Sequence, residues 1–393
     1  MRERYDVVIL GGGLSGCSTA YHLMADPGFD GRVLVVERDP SYANAPSAKA
    51  TGGIRQQFST PENIRIGLYG ARFAREADEH LGIDGEGTGI LFREQGYLTL
   101  ATPEALPVME ANHAAQRAEG AQIVRHDPAA LAEAFPWLRC DGLAAGYHGA
   151  SGEGWIDPYA LLQGFRRKAR HLGAEFAHDE AVEIEFADGV AEGVRLASGV
   201  RVGAGVVVNT AGASGVRRLS RQVGFDVPIE SRLRVTFVFE CRTDLSGAPL
   251  TILPNGVAWR PEGKGFVTNL APPPERDPET FDFEIDYDQF EREIWPALAE
   301  WIPAFEAIKV TNTYACHYDV NLLDENAIIG RVPETRNVYI AAGFSGHGMQ
   351  QSPAVGRALC ELIVHGGYRS LDLGRFGPER ILTGEGIFEA NCW

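Results

Sequence analysis

Basic residues are scarce in this chain. Thirty-six Lys and Arg stand against 53 Asp and Glu, a formal net charge of −17, whereas nucleic-acid binders and proteins that dock on anionic lipid need clustered cations to displace counterions. Binding of DNA, RNA or an anionic membrane is therefore disfavoured. Cysteine is also sparse: Cys17, Cys140, Cys241, Cys316, Cys360 and Cys392 are scattered without CxxC spacing, so neither a metal centre nor a secreted disulfide framework is expected. A reducing, cytoplasmic setting fits this pattern. No apolar run reaches the roughly 18 residues of a membrane span, and the opening MRERYDVVILGGG lacks a signal-peptide layout because its apolar run flows directly into glycines. At about 100–200 residues per domain, 393 residues make two or three domains with room to bury a large cofactor.

Glycine, by contrast, is abundant, at 46 residues, and its placement is informative. Val7 to Leu10 is a continuous apolar run, as in a strand buried on both faces, and Gly11, Gly13 and Gly16 follow in GxGxxG spacing. An apolar-periodic stretch from Leu14 through Met24 then ends at Pro27-Gly28. The pattern predicts strand, glycine turn and helix. Gly11 permits the tight turn, Gly13 lets the backbone approach a pyrophosphate, and Gly16 lets helix and strand pack closely, while N–H groups at the helix start attract the anion. A second strand, Arg32 to Val36, ends at Glu37, placed to accept hydrogen bonds from a ribose diol.

Two further segments repeat the strand-then-glycine pattern, Val206 to Gly212 and Val338 to Gly343. The second runs through Phe344-Ser345-Gly346-His347-Gly348 into a helix expected to start near Ser352-Pro353 and to continue to His365. A nicotinamide domain needs no such closing element, whereas a buried isoalloxazine does, and a helix N-terminus would stabilise the charge of a reduced flavin. Flavin is the better expectation, with a nicotinamide-dependent reductase as the alternative.

The segments DVVILGGGLSGCSTAYHL, GVVVNTAGAS and NVYIAAGFSGHGMQQSPAVGRALCELI resemble the FAD-dependent D-amino-acid oxidase superfamily. GFSGHG is most similar to the branch of monomeric sarcosine oxidase and glycine oxidase. The resemblance implies an α/β fold: a discontinuous Rossmann-like FAD-binding domain from 1–86, 151–223 and 324–393, and a smaller mixed-sheet substrate domain from 87–150 and 224–323. It implies that FAD contacts come from Gly11, Gly13, Leu14, Ser15, Gly16, Glu37, Arg38, Gly53, Val182, Ala211, Gly212, Gly343, Gly346, His347, Gly348, Met349 and Gln350. Cys316, in ACHYD, falls where sarcosine oxidase-like proteins attach flavin through a thioether; its alternative is a small packing residue.

Oxidation of an amine by flavin needs alignment and exclusion of water more than acid–base groups. The resemblance points to Arg55 and Tyr318 as anchors of a substrate carboxylate, the guanidinium offering the fork a carboxylate prefers. His317 stands beside Cys316 as a candidate for proton transfer. Departures from the family pattern matter too. Met349-Gln350 replaces the carboxylate-holding lysine of sarcosine oxidases, GFVTNLA around Val267 and Thr268 replaces the oxygen-activating lysine, and His317-Tyr318 replaces an arginine-proline pair. Gln350, neutral and able to donate and accept, suits a polar or amide-bearing substrate. The leading expectation is oxidation of the C–N bond of an amino acid or N-substituted glycine to an imine, with oxygen or another acceptor taking the electrons. The alternative is a flavoprotein that assembles or binds without turnover.

Overall fold

The computed structural model describes residues 1–390; Cys392 lies outside them. Its opening strand, Arg4–Leu10, explains the unbroken apolar run. Val7 and Ile9 enter one core, whereas Val8 and Leu10 enter another on the opposite face, so the run Val7 to Leu10 has no place for a polar residue. The first sheet has the order Ile328–Arg331, Val338–Ala342, Arg201–Asn209, Arg4–Leu10, Val33–Glu37, Glu175–His178. The four pairings from Val338–Ala342 to Glu175–His178 are parallel, and Ile328–Arg331 joins antiparallel. All three glycine-ended strands are thus near neighbours, their C-terminal ends on one edge.

The helix Leu14–Ala25 follows the first glycine turn and packs against the late helix Gly348–His365. Their approach is close: a Cβ on Gly356 would lie 2.2 Å from Ser18 Oγ. Helix Pro158–His171 completes this layer; Asp157 caps it, accepting from the N–H groups of Tyr159 and Ala160, as the Asp-Pro pair predicts.

The second sheet carries eight strands in the order Ile308–Asn321, Ile229–Cys241, Gly265–Asn269, Ala258–Glu262, Leu250–Ile252, Tyr97–Ala101, Ala145–Gly149, Val124–His126. One face is an aromatic core: Phe237, Phe239, Trp259 and Phe266 pack with Phe305, whose ring sits 5.0 Å from Phe239 and 4.9 Å from Trp259. The opposite face differs in chemistry. Register pairs Tyr314 with Thr236, Cys316 with Arg234 and Tyr318 with Arg232, and Tyr97 with Leu250. Alternation puts these side chains together on the face away from the aromatic core. A two-stranded ribbon, Gly53–Ile54 with Gly154–Trp155, lies between the sheets, where a Cβ on Gly53 would lie 2.8 Å from the Tyr97 hydroxyl.

Candidate active site

At the edge of the first sheet the glycine turn has the backbone its sequence predicts. Gly11 has φ +102°, and a Cβ there would meet Thr210 O at 2.4 Å; one on Gly16 would meet Gly11 O at 2.0 Å. Gly13 is different. A Cβ there meets only Ser47 Oγ, at 3.1 Å, so its missing side chain leaves space rather than avoiding protein. The first turn of helix Leu14–Ala25 holds no acidic residue, and its N–H groups face the same cleft, with Leu14 N–H donating to Ser47 Oγ. That is an anion cradle. Glu37 sits beneath it, Oε2 accepting from Gly12 N–H at 2.8 Å and Oε1 from Asp39 N–H.

A single cleft joins this cradle to the middle and end of the chain. Its walls include Gly13, Leu14 and Ser15, then Thr210, Gly212 and Ala213, and finally Tyr318, Asp319, Phe344, Gly346, Gly348 and Met349. The closing turn is strapped to the second sheet. Gly343 N–H donates to Asp319 Oδ2 at 2.7 Å and Ser345 N–H to Asp319 O at 3.0 Å. Gly346, with φ +98°, lies so close to Tyr318 that a Cβ would come within 2.6 Å of the ring.

The helix Gly348–His365 begins four residues before the expected start at Ser352-Pro353. Pro353 lacks the N–H that would satisfy Met349 O, and Ser352 Oγ takes that carbonyl instead, at 2.8 Å. A helix whose missing bond is repaired by a neighbouring hydroxyl can start earlier than its proline implies. His347 is its cap residue, and the helix start points at the cleft.

Arg55 is 4% exposed and lies where these elements meet. Its N–H donates to Gln350 Oε1 at 2.9 Å, its Nη2 lies 3.2 Å from His347 Nε2, and its guanidinium stands 4.5 Å over Phe58 and 6.0 Å from Tyr97. Behind it, Glu153 is fully buried and accepts from Gln56 N–H and Gln57 Nε2. Burial pushes the Glu153 carboxyl up to about 7, against those hydrogen bonds and the Arg55 charge. Burial also raises the Tyr318 phenol and pushes the Cys316 thiol up to about 12, against the charges of Lys49 and Arg234.

Arg55, Tyr318, His347, Gln350 and Met349 are therefore brought together, with Gly212 on the cleft wall and Ala211 before it as the cap of helix Gly212–Arg221. His317 is not. Strand alternation turns it away from Cys316 and Tyr318, and its Nε2 lies 2.6 Å from Asp282 O with its ring against Phe283. Arg38 is exposed at the strand end, and Val182 lies outside the cleft wall, its carbonyl accepting from Arg218 and Gln222. Of the two residues at the oxygen-lysine position, Val267 pairs with Arg260 on the tyrosine face and Thr268 turns to the opposite one.

Several site residues carry no motif signal. Lys49 donates to Ala315 O at 3.0 Å and lies 5.5 Å over Phe283. Tyr97, Glu153 and Asp319 likewise reach the site only through tertiary packing. The strand alternation of Tyr314, Cys316 and Tyr318 was the one pattern that could have singled out Tyr314.

The model of one family, DAO, FAD dependent oxidoreductase, matches residues 6–362. The chain belongs to that family. It is 39% identical over 99% of its length to the Xenopus laevis FAD-dependent oxidoreductase domain-containing protein 1, covering 85% of that protein. It is 27% identical over 92% of its length to human peroxisomal sarcosine oxidase, 93% of which is covered. Among solved structures, that of L-proline dehydrogenase from P. horikoshii superposes with a TM-score of 0.87 at 25% identity, covering 98% of this chain and all of that one. The cofactor of this family member is FAD. The cleft fits it: N–H donors and a missing Cβ at Gly13 suit the pyrophosphate, Glu37 lies at the adjoining strand end, and the helix start at Gly348 faces the far end.

Proposed function

We propose that the chain oxidises the C–N bond of an amino acid or an N-substituted, glycine-type amine to an imine, which water then hydrolyses to an aldehyde or oxo acid. The observation that carries this reading is the buried Arg55 guanidinium, bordered by Phe58, Tyr97 and His347 beside the cleft wall. A planar fork in an aromatic, low-dielectric setting suits a substrate carboxylate. Human peroxisomal sarcosine oxidase and the L-proline dehydrogenase structure, similar along nearly their whole lengths, act by name on N-alkylated amino acids, which supports the same substrate class.

In this reading Arg55 fixes the carboxylate, and Tyr318 closes the pocket against Gly346 and keeps water from the reacting carbon. Gln350 holds the Arg55 backbone in place. The tyrosine face of the second sheet surrounds the amine and its substituent. Bound FAD supplies the two-electron acceptor, and oxygen or another acceptor later takes the electrons. We also propose that Cys316 would hold the flavin as a thioether to a ring methyl carbon: the S–H and one methyl C–H would be lost as the S–C bond forms, the flavin would take the electron pair, and the acceptor that serves turnover would reoxidise it. It is buried two residues from the cleft-lining Tyr318, on the same face of the sheet.

The test is anaerobic mixing of purified holoprotein with sarcosine, N-carboxymethyl amino acids, proline and primary amino acids. Bleaching of the flavin absorbance by at least one N-substituted amino acid is expected. Dithionite bleaching with no response to any amine overturns the proposal.

A further inference from the structure

We infer that Asp319 is a cofactor-holding residue whose carboxylate accepts hydrogen bonds from the sugar-alcohol chain linking the flavin ring to the pyrophosphate. Three observations lead there. Asp319 lines the same cleft as two stretches that are chemically defined, the Gly13–Ser15 anion cradle and the Gly346–Met349 turn. Its carboxylate is already organised, with the N–H groups of Gly343 and Phe344 bonded to it. A carboxylate offers about four acceptor sites, so two turn amides leave capacity for a ligand.

Electrostatics chooses the ligand. Next to a pyrophosphate a carboxylate would repel, and next to an apolar ring its acceptors would go unused while its burial still acted against the charge. The ribityl hydroxyls offer several donors and no negative charge between the pyrophosphate and the ring; the other such groups of FAD are the ribose diol, assigned to Glu37, and the single amine and N–H groups of the two ring systems. Asp319 is already under strain as an anion, since burial pushes its carboxyl up to about 6, and hydroxyl donors would relieve that. The same side chain ties the closing turn to the second sheet, so holding the cofactor and shaping the turn are linked in one group. The inference concerns the cofactor alone and does not depend on the amine substrate.

A turn-shaping role and a ligand role can be separated by Asp319→Asn. Asparagine Oδ1 still accepts from Gly343 N–H, which keeps the turn, but the charge is lost. The experiment uses full-length apoprotein carrying Cys316→Ala, so that binding is reversible, titrated by flavin fluorescence with FAD and with FAD analogues lacking single ribityl hydroxyls. Asp319→Asn is expected to weaken FAD about tenfold or more, as for loss of a charge-assisted hydrogen bond, and to cause no loss with one of the deoxy analogues. Unchanged FAD affinity in Asp319→Asn, or an equal loss with FAD and every analogue, overturns it. Asp319→Ala, which also releases the turn, is expected to bind more weakly than Asp319→Asn.

Discussion

The backbone N–H of Arg55 donates to Oε1 of Gln350 at 2.9 Å, across 295 residues of sequence. A loop from the start of the chain is thereby held on the first turn of its last long helix. The guanidinium of the same residue lies against His347, the cap of that helix, so the proposed anchor and the proposed flavin-facing terminus move as one unit.

Arg55→Lys keeps the charge but loses the planar fork. Its KM for a substrate identified by bleaching is expected to rise at least tenfold, in line with about 1.5–3 kcal/mol for a charge-assisted hydrogen bond, with kcat less affected. Steady-state kinetics with wild type and Arg55→Lys check this, and an unchanged KM assigns Arg55 to structure alone.

Covalent attachment is tested by acid precipitation. Flavin should stay with the wild-type pellet and appear in the supernatant of Cys316→Ala. Yellow supernatant from wild type overturns the thioether.

Glu153 makes the fold sensitive to pH. Its folded pKa of about 7 lies above the ordinary carboxylate value of 4.5, so the folded state binds the extra proton. Stability therefore falls as pH rises from about 4.5 through about 7, by roughly 3 kcal/mol. Glu153→Gln keeps an acceptor for Gln56 N–H, and a flip of the Gln57 amide restores the other bond. Urea unfolding between pH 5 and 8 should show the slope in wild type and a flatter profile in Glu153→Gln.

Glu389 acts in the opposite sense. It accepts from the N–H and hydroxyl groups of Ser59 and Thr60 and from Asn63 Nδ2, at the start of helix Pro61–Arg75. Burial alone would raise its pKa, yet these donors bring it below the usual range. Its contribution is present above pH 4.5 and is lost as pH falls through the lowered folded value. Glu389→Gln should lose about 2 kcal/mol at pH 7 and progressively less as pH falls below 4.5, read by denaturant midpoint.

How much of this was legible in the sequence varies by residue. Gly11, Gly13, Gly16 and the Val7–Leu10 run declare themselves because local backbone demands and a two-faced core leave few alternatives. The start of helix Gly348–His365 is hidden in the sequence because Pro353 reads as a first-turn residue, and the repair by Ser352 Oγ is visible only in three dimensions. His317 has chemically suggestive neighbours in ACHYD, but a strand sends adjacent side chains to opposite faces. Lys49 and Glu153 belong to no motif, and Asp319 closes ACHYD without being singled out by it; each matters through partners more than twenty residues away.

The cleft wall that runs from Gly13 through Thr210 to Met349 also constrains biogenesis. During synthesis the early glycine turn emerges long before its opposite wall exists, and pairings of such sequence separation form slowly. Closing the cleft around the coenzyme therefore requires segments from both ends of the polypeptide to have been made.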